Sequence, residues 1–145
     1  MTTIRTANDG IPTHRKAINI VLWTLQVLVA LAFVAAGSGK LLGSPEMIAL
    51  FGVVGIGQWF RYVTGLLELP GALLLLVPGR AAFGSVLLAG VMAGAVVAHL
   101  TVLHTAPTGP LVLLTLIALI AWGRRSQFAG PVSYTHLTLP TIYSV

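Results

Sequence analysis

The chain has 145 residues, 57% of them hydrophobic and 8% charged, with a net charge of +5 and no cysteine. Soluble domains carry roughly 25% charged residues and a fold this small has too little interior to hide so much apolar side chain, so the mean hydropathy of +0.96 excludes an ordinary water-soluble globule and predicts an all-α integral membrane protein. The missing cysteines exclude disulfides, thiolate chemistry and Cys-ligated zinc or iron–sulfur clusters held by this chain, and the Lys and Arg residues, scattered singly or in pairs between apolar runs, fit topology signals better than a phosphate-binding surface, so no nucleic-acid partner is expected.

Residues 1–16 read as an N-terminal tail carrying Arg5, Arg15 and Lys16. Residues 18–39 contain no Asp, Glu, Lys or Arg and are long enough to cross a hydrocarbon core of about 30 Å at about 1.5 Å per residue. Arg15 and Lys16 followed by Val34-Ala35-Ala36 also fit a cleaved signal peptide, but the apolar run is longer than a usual h-region, which favours a retained span. In the next loop, Ser44-Pro45-Glu46 combines an N-cap, a first-turn proline and an acid that complements the helix dipole, and predicts a short interfacial helix. Gly52, Gly55 and Gly57 then loosen the chain before Trp59, Arg61 and Tyr62, which suit the headgroup boundary.

The second span, 62–79, contains one charge, Glu68. The uncharged stretch 81–123 is too long for one crossing, and the APTGP cluster at 106–110 divides it into spans 81–103 and 109–123. The fourth span is short, so Arg124 and Arg125 are expected to snorkel. The expected architecture is a four-helix membrane bundle over 17–125 with a short interfacial helix in the outer loop, followed by a tail over 126–145. Six of the eight basic residues, Arg5, Arg15, Lys16, Arg80, Arg124 and Arg125, fall on one side, and Lys40 and Arg61 on the other. The positive-inside rule therefore places both termini in the cytoplasm.

Glu68 lies seven residues after Arg61, roughly 10 Å below the outer interface at helical rise. A carboxylate at that depth needs a partner or a proton, and intramembrane acids face the bundle interior. Lys40 at the outer end of span one can reach Glu68 if the two spans are neighbours, and His99 in span three lies at a similar depth. Thr64 precedes Glu68 by one turn on the same face, and Pro70 removes a backbone donor just beyond it and is expected to leave a carbonyl facing the same cavity. Lys40, Thr64, Glu68 and His99 therefore form the candidate intramembrane polar site; a functional site and a Lys–Glu pair that only pins two helices both remain open.

His99 and His104 lie about 140° apart on a helix, unlike the i, i+4 pair of a helical zinc site, and no metal is assigned. Gly37-Ser38-Gly39-Lys40 lacks the upstream glycine and following hydroxyl of a phosphate loop. Gly90, Gly94 and Ala98 make a small-residue stripe, read as a helix-packing seam within the bundle or between copies in a homo-oligomer, and Gln26 can bond across helices.

The segments FVAAGSGKLLGSPEMIALF, FRYVTGLLELPGALLLLVPGR and FGSVLLAGVMAGAVVAHL, in this order and spacing, resemble the DoxX-like family of small bacterial four-helix membrane proteins. The resemblance covers about 18–125; its most distinctive pieces are Gly39-Lys40 at the end of the first span and TGLLEL, with Glu68 as its acid. It implies a multi-pass protein of the bacterial cytoplasmic membrane. One branch, called DoxD, is a membrane subunit of a thiosulfate:quinone oxidoreductase, so the resemblance implies a membrane subunit of a quinone-linked oxidoreductase system, with quinone as the cofactor and an oxidoreductase protein as partner beside the lipid bilayer. It transfers no catalytic residue, and whether the chain is itself an enzyme stays open. The alternatives are a non-catalytic assembly partner and a small-solute transporter, the latter disfavoured because no pair of broken spans occurs in corresponding halves. Residues 131–145, PVSYTHLTLPTIYSV, resemble translated sequencing-adaptor sequence and are read as a non-native extension, which sets His136 aside.

Overall fold

The computed structural model describes residues 13–129. Its elements are α1 (Thr13–Leu42), α2 (Pro45–Val54), α3 (Gln58–Leu76), α4 (Ala81–Thr101) and α5 (Thr108–Gly123), followed by a 3₁₀ turn at Arg125–Gln127. Among the described residues there is no strand. Three helices are long and apolar enough to cross a membrane, over His14–Leu42, Gln58–Leu76 and Ala81–Thr101. The 16 residues of α5 reach about 24 Å at helical rise, short of a full hydrocarbon core. The tail expected over 1–16 is helical from Thr13; residues 1–12 and the extension 131–145 lie outside the described residues.

Local chemistry explains the helix ends. α1 runs on to Leu42 and stops at Gly43, whose φ of +72° suits a residue without Cβ. α2 forms where the Ser44-Pro45-Glu46 pattern predicts a helix, although the Ser44 side chain makes no capping hydrogen bond; it ends at Gly55 in the left-handed conformation. α3 starts at Gln58, four residues before the expected span, because the break falls at Gly57 and the aromatic cluster after it supplies the first turn. It ends at Leu76 because the residue before Pro78 is pushed out of the helical region, and Val77 is extended at φ −84°, ψ 121°.

α1 packs against α3, α3 against α4, α4 against α5, and α5 closes back on α1, while α2 leans on α3 and α1. The shared core is apolar: Val29 and Phe33 of α1, Ala72 and Leu75 of α3, Leu88 and Met92 of α4, Ile117 and Ile120 of α5. Ile20, Leu28, Leu66, Leu73, Val86, Val97, Val112 and Leu119 point outward and are exposed. Such a surface is stable only against hydrocarbon.

Glycines set how closely the helices approach. A Cβ on Gly37 of α1 would lie 3.1 Å from the Leu69 side chain, and one on Gly65 of α3 would lie 3.1 Å from the Gly37 carbonyl oxygen. A Cβ on Gly84 of α4 would lie 2.7 Å from the Gly71 carbonyl oxygen, and one on Gly71 would lie 2.7 Å from Leu88. Small residues at these positions let backbones touch. Within the chain, the stripe read from sequence as a seam does not pack: a Cβ on Gly90 or Gly94 would meet nothing within 4 Å. Those residues, with Ala98, border a cavity instead. Spacing reveals a smooth face but not which way it turns.

At the end of the molecule holding the α5 C-terminus, the buried Gln26 donates to the Leu75 carbonyl oxygen and accepts from Arg124 Nε at 2.7 Å, while Arg124 Nη1 donates to Asn19 Oδ1 at 2.8 Å. Leu75 lies in the last turn of α3, where carbonyls lack intrahelical partners, and Gln26 satisfies one of them. Burial pushes the Arg124 guanidinium below its ordinary pKa, from a value so high that it stays charged. Gln127 Oε1 accepts the Ala82 N–H at 3.1 Å, and Phe83 meets Phe128 edge to face at 5.4 Å, so the segment after α5 caps the start of α4. Gln26→Leu strips the partner from both the Leu75 carbonyl and Arg124 Nε, and the expected loss is about 1–3 kcal/mol. Thermal unfolding in nanodiscs checks it; an unchanged melting temperature would mean that the network contributes nothing to stability.

Candidate functional site

Between the helices lies a cavity of about 560 Å³, within the span of small-molecule sites. All five α-helices line it, and its wall is apolar apart from Lys40, Thr64, Glu68 and His99. The four polar residues singled out from sequence thus border one space. Lys40 Nζ donates to both carboxylate oxygens of Glu68, at 2.9 and 2.8 Å. The Glu68 side chain is 1% exposed and that of Lys40 12%, and theirs is the only ion pair among the described residues.

Gly37 is what brings this pair together. It lies one turn before Lys40 on the same face of α1, and a Cβ there would press on Leu69 and on Glu68 Cβ at 3.3 Å. Without a side chain at 37, α3 settles close enough for the ammonium to span the gap. Lys40 also sits in the last turn of α1, where a cation complements the helix dipole. An ammonium has three donors; Lys40 pairs with both Glu68 oxygens and with no other acceptor among the described residues, and its side chain borders the cavity.

Thr64 borders the cavity but spends its hydroxyl proton on the Arg61 carbonyl oxygen, at 3.0 Å, so toward the cavity its oxygen can only accept. His99 shares a 2.8 Å hydrogen bond with Thr105 through Nδ1, leaving Nε2 as its other polar atom. His104 sits apart, exposed in the α4–α5 turn with φ +49°. Among the described residues no group of three His, Asp or Glu side chains is placed to hold a metal ion.

Two expectations need correction. Pro70 frees the carbonyl four residues back, that of Leu66, and Leu66 is exposed on the outer face and does not border the cavity. Trp59 and Tyr62 are exposed, as interfacial anchors would be, but Arg61 between them is only 3% exposed. Its Nε donates to Gln58 Oε1 at 2.9 Å, its guanidinium stacks 4.3 Å from the Tyr62 ring centre, and its Nη1 packs beside the Gly43 turn without a hydrogen-bond partner. Gly43 leaves room for the guanidinium, and the Gln58–Arg61 spacing of one turn supplies its bond.

The sequence reading also left out the roof of the cavity. Met47, Leu50, Phe51 and Val54 of α2 face it, at the i, i+3, i+4, i+7 spacing of a helix with one apolar face. Phe51 is buried and lies 6.0 Å from Phe60 of α3. Gln58 Nε2 donates to the Ile48 carbonyl oxygen at 3.0 Å, joining α2 to the start of α3. The periodicity was legible; what the face packs on was not.

The arrangement suits a molecule that is apolar over most of its surface and carries a hydrogen-bond acceptor at one end, where the ammonium offers a donor beside a carboxylate. Comparison with curated proteins gives no match, and neither does comparison with solved structures. The DoxX-like family matches over residues 24–122, which takes in every residue of the cavity. This multi-pass membrane chain belongs to the DoxX-like family.

Proposed function

We propose that the protein is a membrane subunit of a quinone-linked oxidoreductase system in the bacterial cytoplasmic membrane, and that its cavity holds the quinone head. On this reading α5 completes a four-span bundle, α2 lies in the outer interface and both termini are cytoplasmic. The observation that carries the proposal is the pairing of Lys40 with Glu68 on the wall of an otherwise apolar cavity. The third N–H of Lys40 donates to a quinone carbonyl. Reduction of a quinone to the quinol takes two electrons and two protons; an oxidoreductase partner protein supplies the electrons, and the Lys40–Glu68 pair and His99 pass the protons.

Binding of a quinone to the purified chain in nanodiscs tests this, wild type against Glu68→Gln. The substitution removes the charge that holds the ammonium in place, and hydrogen bonds to charged groups contribute about 1.5–3 kcal/mol, so the expected weakening is about 10- to 100-fold. Saturable binding that ignores Glu68→Gln removes the pair from the site. No binding by folded protein favours a second reading, a non-catalytic assembly partner in which Lys40 and Glu68 clamp α1 to α3. The completeness of the pair supports that alternative, since both carboxylate oxygens are satisfied without a ligand.

A further inference from the structure

We infer that the cavity opens sideways to the lipid, between the outer halves of α3 and α4, and that its occupant is a tail-bearing quinone whose head reaches Lys40–Glu68 while its tail lies in that gap. The inference rests on the proposal that the cavity binds a quinone.

Three walls are closed, and toward α5 the cavity is bordered by Gly109, Pro110 and Leu113, of which Gly109 is exposed. Toward the bundle axis the cavity ends on Phe33 and Met92, both buried. Toward the Arg124 end, α3 and α4 touch backbone to backbone at Gly71 and Gly84. Over the Lys40 end lies the apolar face of α2, with Phe51 packed on Phe60. Between α3 and α4 the border is longer: Val63 and Leu67 of α3 and Gly90 and Gly94 of α4 line the cavity and are all exposed. Leu66 and Val97, on the surface beside this opening, are apolar and exposed, so it gives onto hydrocarbon. Gly90 and Gly94 present no side chain to a tail passing beside them and have nothing within 4 Å of their Cβ positions. The polar pair lies deeper, on the inner wall, so a head drawn to it leaves the tail in the opening.

The same space makes the test clean, since a leucine at 90 or 94 fills the gap without displacing a helix. Two probes, tetramethyl-benzoquinone and its decyl-tailed counterpart, are titrated into wild type, Gly90→Leu and Gly94→Leu in nanodiscs, with thermal unfolding confirming that both variants fold. The expected result is that the affinity ratio of tailed to tailless probe falls severalfold in both variants. An unchanged ratio, or an equal loss for both probes, overturns the lateral opening while leaving the quinone site standing. If wild type binds neither probe, the quinone reading itself fails and the inference goes with it.

Discussion

Lys40→Met is expected to destabilise the folded protein by about 3–5 kcal/mol, and adding Glu68→Leu is expected to recover most of that loss. The single change leaves a carboxylate that is 1% exposed with neither counter-ion nor donor, whereas the double change replaces both charges with apolar groups of similar length in an apolar wall. A buried ion pair is costly to break from one side and cheap to remove whole, because removing both partners also removes the desolvation that each carries. Unfolding of the two single variants and the double variant in nanodiscs closes the cycle. If the double variant is as unstable as the sum of the singles, Lys40 and Glu68 act independently and neither the clamp nor the site reading holds. The same double variant separates the two readings: a stable protein that has lost quinone binding shows that the pair serves the ligand as well as the fold.

Gly84→Ala is expected to cost about 3 kcal/mol, the upper end for overpacking a well-filled contact, while Gly90→Ala is neutral or slightly stabilising through helix propensity. The added methyl at 84 would lie 2.7 Å from the Gly71 carbonyl oxygen and 3.0 Å from the Leu75 nitrogen. These are backbone atoms that no rotamer change can move, so the two helices must separate. At 90 the methyl meets nothing within 4 Å. Melting temperatures of the two variants, measured side by side, check the contrast; equal values would mean that the α3–α4 contact is looser than its distances indicate.

What could be read from the sequence was local. Hydropathy runs located the apolar helices, Ser44-Pro45-Glu46 marked α2, and residue counts from Arg61 to Glu68 and from Arg80 to His99 put both near the depth of Lys40 at the end of the first span. The shared face of Thr64 and Glu68 was legible too, but which way the glycines and Arg61 turn was not. Gly37, Gly65, Gly71 and Gly84 are spread over three helices and form no stripe, yet they make the close contacts, while the regular stripe at Gly90 and Gly94 makes none within the chain. Arg61 shares its segment with two exposed aromatics but turns inward, because Gly43, distant in sequence, leaves it room. Gln26 bonds across helices as expected, but that its partners are the Leu75 carbonyl and Arg124, 98 positions away, is something no local pattern announces.

The contact at Gly71 and Gly84 also fixes where α3 and α4 come closest. Helices pressed together near one end enclose a wedge that widens away from the contact, and Gly94 sits ten residues, or about 15 Å, along α4 from Gly84. Over that lever arm a tilt of about 4° at the contact moves the far end by about 1 Å. A side chain at position 84, which does not border the cavity, would therefore be expected to spread α3 and α4 beside it while Lys40 and Glu68 stay as they are.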